Sequence, residues 1–358
     1  MKGSFLALTF YDVAEQIHTD QVREIAGAQR TQGLKHPAPD YVRFQIPLSV
    51  EYAEPVSLPS GERFESRIKY FDYGVVGIEL EISFDTDWAG LVRLSNRWMA
   101  EPQLEKLSTD LLRSRLLRIR RALLQPYSKW LTEDYFVIQV TEALDDFGNP
   151  LSARAMIADG QEQIVEIVRG ESVPLADTER DETLHSSVSY YPHDLLVAGW
   201  TAAFLYDTPE SAASTRLLLE YANTQLLEFR HYDDVLTKVL AGVYKKLEHK
   251  RGIFSGWKMG REAEHLNTLR LEVTELTERS DNAIKFLSDM FYAKAYKMAA
   301  DKVGVNDYRT LVEEKLRIAG DLYESMVNEF HQARAFVLEA LVVAILVIEL
   351  IHLFRNWR

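Results

Sequence analysis

The longest apolar run of the chain extends from Ala335 to Phe354 and reads AFVLEALVVAILVIELIHLF. As a helix, a run of this length spans about 30 Å, which is the thickness of the hydrocarbon core of a bilayer. Its polar residues are Glu339, Glu349 and His352. Basic residues flank the run on both sides, as is typical of membrane interfaces. The pattern predicts a C-terminal transmembrane helix and short tail at 334–358, in contact with membrane lipid.

Apolar positions before and within this run alternate in spacing between four and three residues. They are Val312, Leu316, Ala319, Tyr323, Met326, Phe330, Ala333, Val337, Ala340, Ala344, Val347, Ile351 and Phe354. This heptad pattern is typical of a coiled coil and predicts one continuous helix that enters the membrane. Ala340 and Ala344 are small enough to let two helices approach closely in lipid. Since no other predicted span can pair with this one, the seam predicts a homo-oligomer.

Residues 1–150 are predicted to form a strand-rich α+β domain. β-branched and aromatic residues are concentrated in three predicted strands, at 41–53, 67–84 and 135–144. A helical pattern at roughly 88–125 lies between the last two strands and ends before Pro126.

The rest of the chain is predicted to be mainly helical. Residues 151–214, which include HDLLVAGWTAAFLYD, are predicted to form a mostly helical connector. Residues 215–333 are predicted to form a long-helix bundle or coiled coil, with breaks at 251–260 and 302–307. The fold class predicted for the whole chain is therefore α+β, with a C-terminal transmembrane helix.

The first long helix carries an apolar stripe with one charged residue on it, Asp233. The stripe consists of Leu219, Ala222, Leu226, Phe229, Leu236, Leu240, Val243 and Leu247. A carboxylate in this position must be paired or remain partly in contact with water. Two interpretations stay open: Asp233 sets the register of a helical bundle, or it belongs to a functional site.

The charge, the cysteine content and the N-terminal sequence indicate which partners and which cellular compartment to expect. The net charge of −13 disfavours direct binding to nucleic acid, whose phosphates the body would repel. The absence of cysteine excludes disulfides and thiolate chemistry and fits a reducing compartment. The N-terminal sequence MKGSFLALTFYDVAEQ is too weakly apolar for a signal peptide, so the body is expected in the cytoplasm.

One basic run stands out in this acidic chain. It contains Arg113, Arg115, Arg118, Arg120 and Arg121. The preferred interpretation is a solvated helix face, with Leu112, Leu116, Ile119 and Leu123 turned inward at helical spacing. The alternative is a patch for anionic lipid or RNA.

No motif predicts catalysis, a cofactor or a metal. The chain has no HExxH or similar ligand spacing, no phosphate-binding glycine loop and no nucleophile elbow. His193 with Asp194, and His231 with Asp233 and Asp234, are the residues from which a metal site would have to converge, and the signal is weak. Whether the protein is an enzyme stays open.

Three segments resemble the required-for-meiotic-nuclear-division family, a group of membrane proteins built on a domain of unknown function. They are EYANTQLLEFRHYDDVL (220–236), SYYPHDLLVAGW (189–200) and LEALVVAILVIELI (338–351). The resemblance covers about 155–358. In many members Trp follows the Leu-Glu pair, where this chain has Ala340.

The resemblance implies a single C-terminal membrane helix and homo-oligomerisation. The mitochondrial member of that family is an inner-membrane homo-oligomer that supports translation of mitochondrially encoded proteins, and no enzymatic activity is established for the family. The resemblance also implies that a shared role is carried by Glu220, Asn223, Gln225, Glu228, Arg230, Tyr232 and Asp233.

Three functions follow as hypotheses. The first is a non-enzymatic, membrane-anchored homo-oligomeric scaffold that gathers protein partners. The alternative is an enzyme or ligand-binding protein whose site combines the polar helix 220–234 with the segment 189–194. A second alternative is an oligomeric channel, although Glu339 and Glu349 lie off the heptad seam and on different helix faces.

Overall fold

The computed structural model describes residues 1–30, 48–145, 147–171, 173, 175–248, 266–275 and 290–356. The chain divides into two compact units. Unit 1 comprises Met1–His231 and Ser280–Tyr308, and unit 2 comprises Tyr232–Arg279 and Arg309–Arg358. The predicted α+β class is confirmed: a large mixed sheet lies in the N-terminal part, and the C-terminal part is helical.

The described residues of unit 1 form a nine-stranded sheet. Its strands are β1 (Lys2–Ile17), β2 (Gln29–Arg30), β3 (Leu48–Ser57), β4 (Arg63–Phe71), β5 (Val75–Asp85), β6 (Leu123–Glu142), β7 (Ser187–Val188), β8 (Leu195–Ala198) and β9 (Ala202–Tyr206). Their order is β2-β3-β4-β5-β1-β6-β9-β8-β7. Neighbours are antiparallel except β6 and β9, which pair in parallel.

The described residues also form nine helices. They are α1 (Thr19–Ala26), α2 (Trp88–Met99), α3 (Pro102–Ile119), α4 (Ala153–Arg169), α5 (Asp177–His185), α6 (Pro209–Glu248), α7 (266–275), α8 (Met290–Val303) and α9 (Val305–Asn356), and a 3-10 turn (Arg120–Ala122) follows α3. The predicted helix at 88–125 is divided at Pro102, which opens α3 because a proline is tolerated in a first helical turn.

The N-terminal strand β1 lies in the middle of the sheet, between β5 and β6. Because successive side chains point to opposite faces of a strand, β1 supplies the core on both sides. Phe5 and Tyr11 pack into the core that also contains Trp98 of α2 and Leu112 of α3. Phe10, on the opposite face, is also buried. A strand buried on both faces does not alternate in hydrophobicity, which is why β1 was not predicted.

The connector 151–214 contains the helices α4 and α5, as predicted, but differs from its prediction in one segment. HDLLVAGWTAAFLYD was predicted as helix, whereas it forms the antiparallel strands β8 and β9, which extend the sheet. Every residue of the two strands is buried, so each strand is continuously apolar and lacks the alternation of apolar and polar residues that predicts a strand. Gly199 fits the tight turn between them, since a Cβ there would lie 2.5 Å from Val168 Cγ1.

Unit 2 is built from long helices. Leu240 of α6, Leu266 of α7 and Ala319 of α9 form a small buried cluster. The predicted break at 302–307 is confirmed by Gly304, which has φ 89° and separates α8 from α9. The other predicted break, at 251–260, lies outside the described residues.

Helix α9 runs without interruption for 52 residues. Within it, Ala335–His352 has a mean hydropathy of 2.4 and no buried residue. This stretch is long and apolar enough to cross a membrane, as the sequence pattern predicted.

Candidate functional site

The polar residues predicted on α6 belong to both units. Glu220, Asn223, Gln225, Glu228 and Arg230 lie in unit 1, and Tyr232 and Asp233 lie in unit 2. The first four are buried, and the last three are partly exposed. Burial of four polar side chains on one helix is costly unless each forms hydrogen bonds or ion pairs. Their partners therefore indicate the role of this segment.

A network of buried charges joins α6 to the sheet. Lys69 of β4 donates to Glu220 Oε1 at 2.5 Å and also to Glu79 of β5. Arg67 Nε donates to Glu79 Oε1 at 2.6 Å, and its guanidinium also binds Glu81. Glu79 and Glu220 are each only 1% exposed. We call these five residues the buried charge network.

Burial alone would raise the pKa of Glu79, but the positive charges of Lys69 and Arg67 outweigh it and lower the pKa to about 2. Burial raises the pKa of Glu220, and Lys69 offsets this only in part. The network therefore keeps the carboxyl group of Glu79 ionised. It also fixes where α6 lies on the sheet, because a shift of α6 would leave Glu220 and Lys69 buried without each other.

The next turn of α6 is held by neutral hydrogen bonds. Thr224 shares one with Tyr73 at 2.8 Å, and Gln225 Oε1 accepts one from Tyr296 of α8 at 3.4 Å. Asn223 Nδ2 donates to Leu219 O at 2.8 Å. Among the described residues, Asn223 Oδ1 and Glu220 Oε2 have no hydrogen-bond partner. These contacts show a polar segment enclosed by the sheet and α8.

The last residues of α6 in unit 1 contact the central strand β1 and its neighbour β6. Arg230 forms an ion pair with Glu133 of β6 and donates to Thr132 O at 3.2 Å. His231 Nδ1 lies 2.6 Å from Asp12 Oδ2 of β1, and its ring stacks on Tyr127 with centroids 4.9 Å apart.

The structure thus gives His231 a partner that the sequence did not indicate. Sequence neighbours suggested Asp233 and Asp234, but the carboxylate in contact is Asp12, which is 2% exposed. Burial raises the pKa of Asp12, and the hydrogen bond from His231 partly counteracts this. Because β1 was not predicted as a strand, nothing in the sequence indicated that Asp12 faces inward.

Asp233 is paired within unit 2, as its position on an apolar stripe required. Lys315 Nζ of α9 donates to Asp233 Oδ1 at 2.6 Å and to Thr237 Oγ1 at 2.5 Å. The side chain of Asp233 is about one-quarter exposed, so the pair is only partly shielded from water. The arrangement fits a register-setting contact between two long helices.

Comparison with known proteins places the sheet and the start of α6 in one family. Residues 2–212, more than half of the chain, match the family described as "Uncharacterized protein MJ0711, N-terminal domain". The chain belongs to this family. A similar curated protein is Uncharacterized protein MJ0711 of Methanocaldococcus jannaschii, which is 21% identical over 226 residues, 63% of this chain and 68% of that protein. No solved structure matches the chain.

The MJ0711 N-terminal domain contains only part of the candidate site. Arg67, Lys69, Glu79 and Glu81 lie within the matched residues, whereas Glu220 lies beyond them. The sheet of the domain therefore supplies both cations and two carboxylates of the buried charge network. Helix α6, most of which lies beyond the domain, supplies the third carboxylate, Glu220.

The described side chains of the site form ion pairs and hydrogen bonds. Among the described residues, no group of three or more His, Asp or Glu side chains could hold a metal ion. In the segment 189–194, Asp194 accepts from the backbone N of Tyr190 at 2.7 Å and so closes its own turn. His193 Nδ1 lies 3.1 Å from Leu151 O. Glu339, Glu349 and His352, in the apolar stretch of α9, are exposed.

Because of Asp207, just before α6, the stability of the MJ0711 N-terminal domain is expected to depend on pH. It is 7% exposed, and burial raises its pKa from 3.8 to about 6. The folded state therefore keeps this proton longer than the unfolded state, and stability falls as the pH rises from about 4 to about 6. We expect Asp207→Asn to raise the free energy of unfolding by about 1 kcal/mol at pH 8 and by nothing near pH 4.

Urea unfolding of the full chain in detergent at the two pH values measures this difference. The side-chain amide oxygen of the Asp207→Asn variant can still accept the hydrogen bond that Thr208 N donates to Asp207 Oδ1 at 2.7 Å. A variant that is less stable than the natural protein at both pH values would contradict the prediction.

Proposed function

We propose that this protein is a membrane-anchored homo-oligomeric scaffold without catalytic activity, which holds its sheet domain and protein partners at a membrane. The observation that carries the proposal is the exposed apolar stretch Ala335–His352 of α9. Each Å² of apolar surface left in water costs about 25 cal/mol, so a continuous exposed stretch of this length calls for lipid or another helix.

The polar residues in this stretch are compatible with a span. An ionised carboxylate at the bilayer centre costs roughly 2.5–3.5 kcal/mol on insertion scales. Glu339 and Glu349 lie near opposite ends of the stretch, where a carboxylate reaches the interface more easily. We place the body on the cytoplasmic side.

The heptad seam supports self-association. At its start, Val312 and Ala319 are buried within unit 2, whereas farther along Val337 and Val347 are exposed. The exposed part of the seam includes Ala340 and Ala344, whose small side chains allow close approach of helices in lipid. A coiled coil of several copies would bury this part of the seam.

The resemblance of 155–358 to the required-for-meiotic-nuclear-division family agrees with this proposal, because it implies one C-terminal membrane helix and homo-oligomerisation. We propose membership of that family for the C-terminal part alongside the MJ0711 N-terminal domain. The alternatives have less support. Glu220, Gln225 and Arg230 of α6 are engaged with Lys69, Tyr296 and Glu133, as in a packed interior, although Glu220 Oε2 and Asn223 Oδ1 lack a hydrogen-bond partner among the described residues.

The test is the mass of the detergent-extracted or nanodisc-embedded protein by light scattering, with and without 334–358. We expect one discrete oligomer that dissociates on truncation, because the membrane seam would be lost. Ala340→Ile with Ala344→Ile should also dissociate it, whereas Val342→Leu with Val343→Leu, off the seam, should not. A monomer in both the full and the truncated forms would overturn the proposal.

A further inference from the structure

Exposed leucines and exposed arginines alternate along the chain from the second half of α3, through the 3-10 turn, to the start of β6. The helix buries Leu112 and Ile119, yet Leu117 is 78% exposed. Arg113 lies four residues before Leu117 on α3 and so shares its helix face, and Arg120 lies three residues after Leu117, in the 3-10 turn. We define the arginine surface as Arg113, Leu117, Arg120, Arg121 and Leu124, and all five residues are exposed.

The three arginines of this surface differ from their neighbours in the same run. Arg115 lies 2.9 Å from Glu51, and Arg118 approaches the same carboxylate at 3.8 Å. Arg113, Arg120 and Arg121 form no ion pair with any residue that the structure describes. In a chain of net charge −13, three arginines within residues 113–121 that form no ion pair with a described residue are a local excess of positive charge.

The apolar residues on this surface favour an anionic bilayer over nucleic acid as the partner. Proteins that bind single-stranded nucleic acid combine cations with exposed aromatic rings on which bases stack. Here the exposed apolar residues are aliphatic, with Leu124 42% exposed beside Leu117. Basic residues that surround exposed leucines are the pattern of a surface that lies on an anionic bilayer.

We propose that the arginine surface docks on anionic phospholipid headgroups, with Leu117 entering the interfacial layer. This inference rests on the proposed function, since the α9 span is what keeps the body at a bilayer. The negative charge elsewhere on the protein does not prevent docking, because charges are screened beyond about 8 Å at physiological ionic strength. The membrane thus provides a second attachment point besides the span.

The absence of cysteine makes a single-site fluorescent label straightforward. Ser114, exposed on α3 next to the arginine surface, is replaced by Cys in the full chain and labelled with an environment-sensitive dye. The protein is reconstituted into phosphatidylcholine vesicles with or without phosphatidylglycerol. We expect a blue shift and quenching by brominated acyl chains only with phosphatidylglycerol. Each Arg→Gln change at 113, 120 or 121 should lower the docked-to-undocked ratio about fivefold.

Phe147→Cys provides the matched control label. Phe147 is 90% exposed and follows the far end of β6, about 60 Å of strand away from Leu123. A dye at this position should not respond to phosphatidylglycerol. Leu117→Ser should reduce the response at Ser114→Cys while leaving far-UV circular dichroism unchanged, because its side chain is exposed.

Three results would overturn the inference: no response at position 114, an equal response in pure phosphatidylcholine, or a response that appears only when RNA is added to the phosphatidylcholine samples. Flotation of the same vesicles separates this from the proposed function. A chain that fails to float contradicts the membrane anchor itself, whereas one that floats with an unresponsive label contradicts only the docking surface.

Discussion

Replacing Lys69 with Met is expected to lower the free energy of unfolding by about 3–5 kcal/mol, the usual loss when one partner of a buried ion pair is removed. Lys69 lies between Glu79 and Glu220, and both carboxylates are almost fully buried. Methionine fills a similar volume but leaves Glu220 without a cation at hydrogen-bonding distance. Urea unfolding of the full chain in detergent, followed by tryptophan fluorescence, measures the loss.

Lys238→Met is the matched control for this substitution. Lys238 pairs with Asp234 one helical turn away, its side chain is 71% exposed, and such a pair contributes about 0.3–0.5 kcal/mol. Adding Glu220→Met to Lys69→Met should recover a large part of the lost stability, because the unpaired carboxylate is removed with its partner. Equal stability of the Lys69 and Lys238 variants would show that the buried charge network does not hold α6 to the sheet.

Replacing Gly74 with Ala is expected to cost about 4 kcal/mol or more, because two separate penalties combine. Gly74 lies in the turn between β4 and β5 with φ 98°, a conformation that a residue with a Cβ rarely adopts. A Cβ at this position would also lie 1.8 Å from the backbone O of Ala14, so β1 would have to move. The same unfolding measurement reports the effect.

Gly61→Ala separates the two penalties. Gly61 also has a positive φ, of 94°, but no atom lies within 4 Å of the Cβ that it would gain. Only the backbone strain applies there, so we expect a loss of about 1 kcal/mol. If the two alanine variants were equally stable, the close approach of Gly74 to β1 would have no energetic importance.

Parts of the fold that depend on local patterns were predictable from the sequence. The apolar run of α9 and the break at Gly304 between α8 and α9 were identified because length, hydropathy and a glycine are visible in a short window. The strand region 67–84 was also recognised, although the structure divides it into β4 and β5 at the turn that contains Gly74.

The partners in the candidate site could not be predicted, because they are distant in the chain. The polar residues of α6 were recognised by type, but the bond between Lys69 and Glu220 joins residues 151 positions apart. The contact of His231 with Asp12 likewise depends on β1 being central in the sheet. Since β1 has no alternating pattern, neither its central position nor the partner of His231 follows from the local sequence.

The central position of β1 also has a consequence for biosynthesis. This strand leaves the ribosome before its pairing partners β5 and β6, which are complete only at Asp85 and Glu142. At roughly 5–20 residues per second, an apolar 16-residue segment with two open edges waits for several seconds before it is covered. During that interval the nascent chain is open to intermolecular strand pairing, so we expect the yield of folded protein to depend on chaperones and on the speed of translation.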